Sequence, residues 1–270
     1  MGYSVLANHA HVSPATLNPD GTIERLLKML DACGIDQAVC FAPFPHACDG
    51  KKIEPNSWLA EELKKNNRLL GFGTIDTRRR DMHDQAKKIA DLGLRGIKLH
   101  PNAQGFDILD PKLFELYAAA QELNLFITFH TGVHRSRLTQ NRVINFDEIA
   151  WNFPQLKFSM EHVGGYSFFH EALAVIFNHV PPPWEKGKCN VFAGLTSIFT
   201  NFTRMWYLGN ERIMELAAQV GVQQLIFGLD FPYNLEEATK TGLDTIRSLF
   251  SVSEQELILG GNLRRELGIT

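Results

Sequence analysis

The sequence predicts an α/β protein built as a (β/α)8 TIM barrel. Three observations lead there. Eight short apolar runs with strand character alternate with helical stretches along 270 residues. The repeat is roughly 30 residues, the size of one βα unit, and eight such units total about 250 residues. Histidine, lysine and aspartate recur directly after these runs, where a barrel of this kind places its active site. No linker or low-complexity segment divides the chain, so residues 1–270 read as a single domain. A doubly wound sheet is the alternative, but it calls for a switch-point crevice, often with a phosphate loop, and the sequence offers none.

Val5-Leu6-Ala7 opens the first strand and runs into Asn8-His9-Ala10-His11. Thr22 to Cys33 sets Ile23, Leu26, Leu27 and Leu30 at helical spacing, with Gly34 as C-cap. Gln37 to Phe41 is the second strand, and Pro43-Phe44-Pro45 opens a loop to about Pro55. A helix over Ser57 to Lys65 and a strand over Leu69 to Ile75 follow. Gly71 and Gly73 lack the third glycine and helix of a dinucleotide fingerprint, so they serve close packing. Asp81 to Leu92 is helical and Arg95 to Leu99 is the fourth strand, ending in Lys98-Leu99-His100-Pro101. Asp110-Pro111, an N-cap followed by proline at N1, starts a helix to about Leu123. Leu125 to Phe129 is the fifth strand, ending at His130-Thr131-Gly132. After a helix over Asn145 to Asn152, Lys157 to Met160 is the sixth, ending at Glu161-His162. A helix over Phe168 to His179, a strand over Asn190 to Leu195 and a helix over Asn210 to Val220 come next. The eighth strand, Gln224 to Phe227, ends at Gly228-Leu229-Asp230-Phe231-Pro232. A long helix over Leu235 to Phe250 and two short helical pieces close the chain.

Composition narrows the function. Lysine and arginine number 27 against 30 acidic residues, a net charge of -3, which provides neither a basic stripe for nucleic acid nor a polybasic membrane patch. No apolar run approaches the roughly 18 residues that span a bilayer, and no signal-peptide pattern opens the chain. Cys33, Cys40, Cys48 and Cys189 form no Cys-x-x-Cys pair. Cys33 and Cys40, in or beside apolar segments, read as buried thiols, and the setting reads as reducing and cytoplasmic.

The chemistry is concentrated at the strand ends. Strand alternation puts His9 and His11 on one face, two imidazoles suited to a divalent metal. Lys98 and His100 end the fourth strand, His130 the fifth, His162 the sixth and Asp230 the eighth. A closed barrel gathers all of these at one mouth. Asp230 follows an apolar strand, where a lone buried carboxylate is costly and a metal or imidazolium relieves the cost. On the residues alone, His162 is a ligand, a supporting group or the base. Lys98 is a charge partner for Asp230 or substrate, or a carbamylated bridge between two metals. His46, His83, His170 and His179 read as structural or surface residues. Arg135 and Arg137, in the loop after strand five with His134, are candidates to hold a substrate carboxylate. The loop from Thr196 to Tyr207 carries Phe199, Phe202, Trp206 and Tyr207, which suit an aromatic substrate or an oligomer contact such as a homodimer.

Five segments together resemble the amidohydrolase superfamily, within it the amidohydrolase-related group that includes aminocarboxymuconate-semialdehyde decarboxylase. They are His9-Ala10-His11, Gly96-Ile97-Lys98-Leu99-His100-Pro101, Phe129-His130-Thr131-Gly132, Glu161-His162-Val163-Gly164-Gly165 and Phe227-Gly228-Leu229-Asp230-Phe231-Pro232. The ending Ile258-Leu259-Gly260-Gly261-Asn262-Leu263-Arg264-Arg265 is similar as well. The resemblance implies one ion per chain, zinc or another divalent metal such as manganese, held by His9, His11, His130 and Asp230. It implies His162 beside the bound water as an acid–base or electrostatic partner. The group more often has alanine before that histidine. This chain has Glu161, which by parity faces away from His162 and is expected to have little effect on the site. The expected activity is metal-dependent hydrolysis of an amide, ester or lactone of a small metabolite, with Asp230 and His162 as catalytic residues. The alternative is nonoxidative decarboxylation of an aromatic or unsaturated acid. A barrel used purely for binding is disfavoured, since structural zinc sites are usually closed and cysteine-rich.

Overall fold

The computed structural model describes residues 2–140, 142–201 and 204–269. Eight strands, β1 (Leu6–His11), β2 (Gln37–Phe41), β3 (Leu69–Thr74), β4 (Gly96–Leu99), β5 (Phe126–His130), β6 (Phe158–Glu161), β7 (Val191–Leu195) and β8 (Leu225–Phe231), close in sequence order into a parallel barrel. Around it run α1 (Ile23–Cys33), α2 (Pro55–Leu63), α3 (Met82–Asp91), α4 (Pro101–Gln104), α5 (Pro111–Glu122), α6 (Phe146–Asn152), α7 (Gly165–Asn178), α8 (Gly209–Val220) and α9 (Glu236–Leu249). The short helices α10 (Val252–Glu256) and α11 (Asn262–Leu267) end the chain. Among the described residues, no helix is long and apolar enough to cross a membrane.

The expected (β/α)8 architecture is therefore the observed one, with local differences. Strand β8 continues to Phe231, so Asp230 lies inside it instead of after it. Helix α2 starts at Pro55, because Glu54 caps it by accepting from the Ser57 amide at 2.7 Å. Helix α4 occupies part of an expected loop. His100 caps it, with Nδ1 accepting from the Ala103 amide at 3.3 Å. Phe202 lies outside the described residues.

Strand parity sorts the core into two compartments. Outward residues such as Ile97, Leu99, Ile127 and Phe129 meet the helices. Gly71 and Gly73 do pack closely: a Cβ on them would lie 2.4 Å from Leu63 and 2.5 Å from Ile89. Inward residues form a second cluster at the barrel's lower end: Leu6, Val39, Phe41, Phe72, Phe126, Phe192 and Ile226, sealed by Leu263 and Leu267 of α11. Going up β5, the inward positions are Phe126, Thr128 and His130, and up β4 they are Gly96, Lys98 and His100. The interior thus changes from hydrocarbon to hydroxyl and ammonium to imidazole, and that gradient places the site at the C-terminal ends.

Gly96 pairs with Phe126 across the β4–β5 ladder. A Cβ there would sit 2.3 Å from the Phe126 carbonyl oxygen and 2.8 Å from the Phe72 ring. Gly96→Ala is expected to cost about 1–3 kcal/mol or more by overpacking, read as a lowered denaturation midpoint. All four cysteines are free and buried. Burial pushes their thiol pKa values up, that of Cys189 to about 11. In native protein at pH 8 all four should react slowly with a thiol reagent and become fast only on unfolding. One rapidly reacting thiol would contradict this.

Candidate metal centre

His9 and His11 do meet on one side, by a route other than simple alternation. Strand β1 pairs Ala7 with Ala38 but Ala10 with Cys40 of β2, so one extra residue is accommodated between them. His9 takes up the bulge with φ of 71°. Asn8 and His9 are consequently both buried in the barrel interior. A second register shift separates the Asn8–Gly228 and Ala10–Phe231 pairs, and there Asp230 has φ of 61°. The two distortions bring His9 Nε2 to 3.1 Å from His11 Nε2 and 3.4 Å from Asp230 Oδ1. His11 Nε2 is 3.9 Å from the same oxygen. One donor atom from each of these three residues lies within 4.8 Å of the others.

Each group is held from behind. His9 Nδ1 is 2.7 Å from Glu161 Oε2. Ser197 donates to Asp230 Oδ2 at 2.6 Å and is itself bonded by Asn234 at 3.0 Å. His162 Nδ1 donates to the Thr196 carbonyl at 2.8 Å, which leaves its Nε2 bare in the neutral ring. His162 reaches the mouth only because the backbone turns left-handed at His162 and Val163, with φ of 64° and 48°. Parity instead directs Glu161 into the barrel. The expectation that Glu161 leaves the site untouched is overturned, since the inward position on β6 is Glu161 and it bonds a histidine of the cluster.

The remaining candidates divide. His130 is buried, its ring 4.8 Å from His162 and stacked at 3.8 Å on His100, and its Nε2 has no hydrogen-bond partner. Lys98 is fully buried, with Nζ 3.2 Å from His9 Nε2 and 5.1 Å from the centre of the Phe41 ring. Arg135 and Arg137 are exposed on the loop after β5, and neither makes a hydrogen bond or ion pair with a described residue. His134, on that loop, packs its ring at 4.6 Å from His100 and 5.2 Å from His130. Trp206 stacks on His162 at 4.5 Å and meets His130 edge-on at 5.3 Å. Tyr233 stands 5.8 Å from His11. Sequence reasoning missed Glu161 and Tyr233. Alternation through Phe158 and Met160, both outward, was the available signal for Glu161.

Electrostatics follow burial. Burial holds His9, His11, His100 and His130 well below the ordinary imidazole range, and His162 below it. Burial brings Lys98 down to about 8 against the opposing pull of Glu161 and Asp230. For Asp230 burial acts upward, but His9, His162, the Ser197 bond and Lys98 outweigh it and keep the carboxyl below its usual range.

The residues fit a divalent cation. Imidazole nitrogens and a carboxylate oxygen suit zinc or manganese. The unpartnered Nε2 of buried His130 is the kind of atom a ligand would satisfy.

A profile of the Amidohydrolase family matches residues 12–269. The chain belongs to that family. It is 22% identical over 246 residues to 2-amino-3-carboxymuconate-6-semialdehyde decarboxylase of Dictyostelium discoideum, covering 79% of this chain and 65% of that one. It is 29% identical over 114 residues to 4-sulfomuconolactone hydrolase of Rhizobium radiobacter, covering 42% and 36%. The chain therefore spans less than two thirds of either relative. Among solved structures, an uncharacterised TIM-barrel protein of Bordetella bronchiseptica shares the fold with a TM-score of 0.76, 18% identity and 98% coverage of both chains. A 2-pyrone-4,6-dicarboxylic acid hydrolase of Pseudomonas putida, so named provisionally, does so at 0.71 and 18%, covering 99% and 98%. A dihydroxybenzoic acid decarboxylase of Polaromonas, solved with bound manganese, does so at 0.72 and 12%, covering 98% and 97%.

Lys98 is an ammonium taken wholly out of water. Glu161 and Asp230 are the buried carboxylates that pull against its desolvation, and removing one partner of a buried charge set is destabilising because the others are left uncompensated. Lys98→Met should lower the melting temperature, and an unchanged or raised value would show that the ammonium does not stabilise the fold.

Proposed function

We propose that the protein is a metal-dependent hydrolase that adds water to an amide, ester or lactone of a small, carboxylate-bearing or aromatic metabolite. The observation that carries this is the convergence of His9 Nε2, His11 Nε2 and Asp230 Oδ1 beside the ring of His162. His9, His11, His130 and Asp230 would hold one ion, zinc or manganese. When bound, such an ion lowers the pKa of water from 15.7 toward about 7 and polarises a carbonyl.

The chain's own residues account for the proton movements. Ser197 anchors Asp230 through Oδ2 and leaves Oδ1 facing the histidines. Kept charged by its surroundings, that oxygen takes the proton of the attacking water and passes it to the leaving group. His162, with Nδ1 committed to Thr196, offers a lone pair at Nε2. With that lone pair it orients the attacking water as a hydrogen-bond acceptor. Trp206 and Tyr233 wall the mouth and limit its access to bulk water. His100 and Lys98 border the same space, and Arg135 and Arg137, exposed on the loop after β5, would bind a substrate carboxylate. The four free, buried thiols support a cytoplasmic setting.

The decarboxylase reading has one observation in its favour. The muconate-semialdehyde decarboxylase matches 79% of this chain, against 42% for the lactone hydrolase. A panel of lactones, esters, amides and aromatic acids, assayed on metal-replete protein for both hydrolysis and released carbon dioxide, separates the two. Asp230→Asn should lower kcat/KM about 10²- to 10⁴-fold, the range of general acid–base contributions. His11→Ala should lose bound metal, with the circular dichroism of the barrel retained in both variants. Full turnover in both would remove the assigned roles.

A further inference from the structure

We propose that Glu161 is a positioning residue for the metal centre: its carboxylate fixes His9 as the Nδ1–H tautomer and so aims an unprotonated Nε2 at the cation. The inference deepens the metal-dependent reading above and rests on it for its functional consequence.

The geometry is specific. Glu161 and His9 are 0% and 1% exposed, and their contact is 2.7 Å. A carboxylate only accepts hydrogen bonds, so the proton of that contact sits on His9 Nδ1 and the lone pair is left on Nε2. The other acceptor positions of Glu161 are filled. Asn8 Nδ2 donates to Oε1 at 3.1 Å and Ser159 Oγ at 2.5 Å, while Thr196 Oγ1 donates to Oε2 at 2.6 Å. A carboxylate has about four lone-pair sites. All four are used here, three by neutral donors that lock the group and the fourth by the imidazole. Tethered this way, the carboxylate has one orientation and the His9 ring inherits it.

Two features of the surrounding chain exist for this contact. Gly194 of β7 lies opposite Glu161 in the ladder, and a Cβ on it would stand 2.4 Å from the Glu161 carboxyl carbon. Gly228 of β8 clears the same level, since a Cβ there would fall 2.1 Å from Thr196 Oγ1 and 3.2 Å from His9 Cβ. The left-handed bulge at His9 supplies the other half. Without the extra residue, alternation turns Asn8 inward and His9 outward. With it, both point inward, and Nδ1 lands on Glu161. The desolvation of this carboxylate is offset by its four hydrogen bonds and by the buried Lys98 ammonium.

The test uses the full chain, stripped with a chelator and titrated calorimetrically with Zn²⁺ and with Mn²⁺, as wild type, Glu161→Gln and Glu161→Ala. Nitrogen-15 histidine spectra of the metal-free wild type report the His9 tautomer. The expected spectrum has a hydrogen-bonded Nδ1–H on His9, assigned by its loss in His9→Gln. Both Glu161 variants should bind metal about 10- to 100-fold more weakly, the usual effect of removing the group behind a ligating histidine. Glu161→Gln, close in shape to the native side chain, carries the comparison if the alanine variant unfolds. A merely structural Glu161 would lower the melting temperature while leaving metal affinity and tautomer unchanged, and that result overturns the proposal. An Nε2–H tautomer for His9 in wild type also overturns it. Wild-type protein that binds neither metal defeats the hydrolase reading instead, and the tautomer then decides the positioning role alone.

Discussion

A barrel closed on itself has no edge, and its interior polar groups must be matched largely by one another. In this protein the match centres on the buried contact between Glu161 and His9. Asn8, Ser159 and Thr196 converge on the same carboxylate from β1, β6 and the end of β7. Below this level the interior is phenylalanine and aliphatic, and above it is imidazole. The polar belt at Glu161 is where a dry core gives way to a reactive mouth. Among the described residues of the interior, Asn8 Oδ1 and His130 Nε2 remain without partners. Both lie at or above that belt, where unmet bonding capacity points toward a ligand.

Strain is placed with the same economy. Seven described non-glycine residues have positive φ, and all but Asn124 lie at the C-terminal end of the barrel: His9, Arg135, His162, Val163, Ser197 and Asp230. Left-handed conformations of this kind cost of order 1–3 kcal/mol each and persist where the surrounding structure over-determines them. The rigid ladders below hold these residues in place, and the yield is directional. His9, His162 and Asp230 face one pocket because their backbones depart from strand geometry. A regular β1 would have offered the pocket Asn8 in place of His9.

The barrel was legible because its signals are local and repeated. Apolar runs bounded by glycine and proline, helices with visible caps and a steady spacing of βα units all belong to short windows of sequence. Helix α4 escaped because four residues carry no periodicity, and its cap is an imidazole instead of a small oxygen side chain. The site was legible through residue type at strand ends, where His9, His11, His130, His162 and Asp230 stand out against apolar neighbours. Glu161 is visible as a letter, but its direction depends on which face of β6 turns inward. Phe158 and Met160 mark the outward face of β6, which turns Glu161 inward, and His162 reaches the mouth only through its left-handed turn.

What the sequence determined by itself was the fold, the strand ends and the kinds of donor gathered there, because periodicity and side-chain chemistry survive without coordinates. What only the tertiary structure decided was direction. Bulges at His9 and Asp230, the left-handed turn at His162 and the room left by Gly194 and Gly228 arise from contacts between strands far apart in the chain. Such contacts shift a side chain from one face to the other by a single residue of register, and no window of local sequence records that shift.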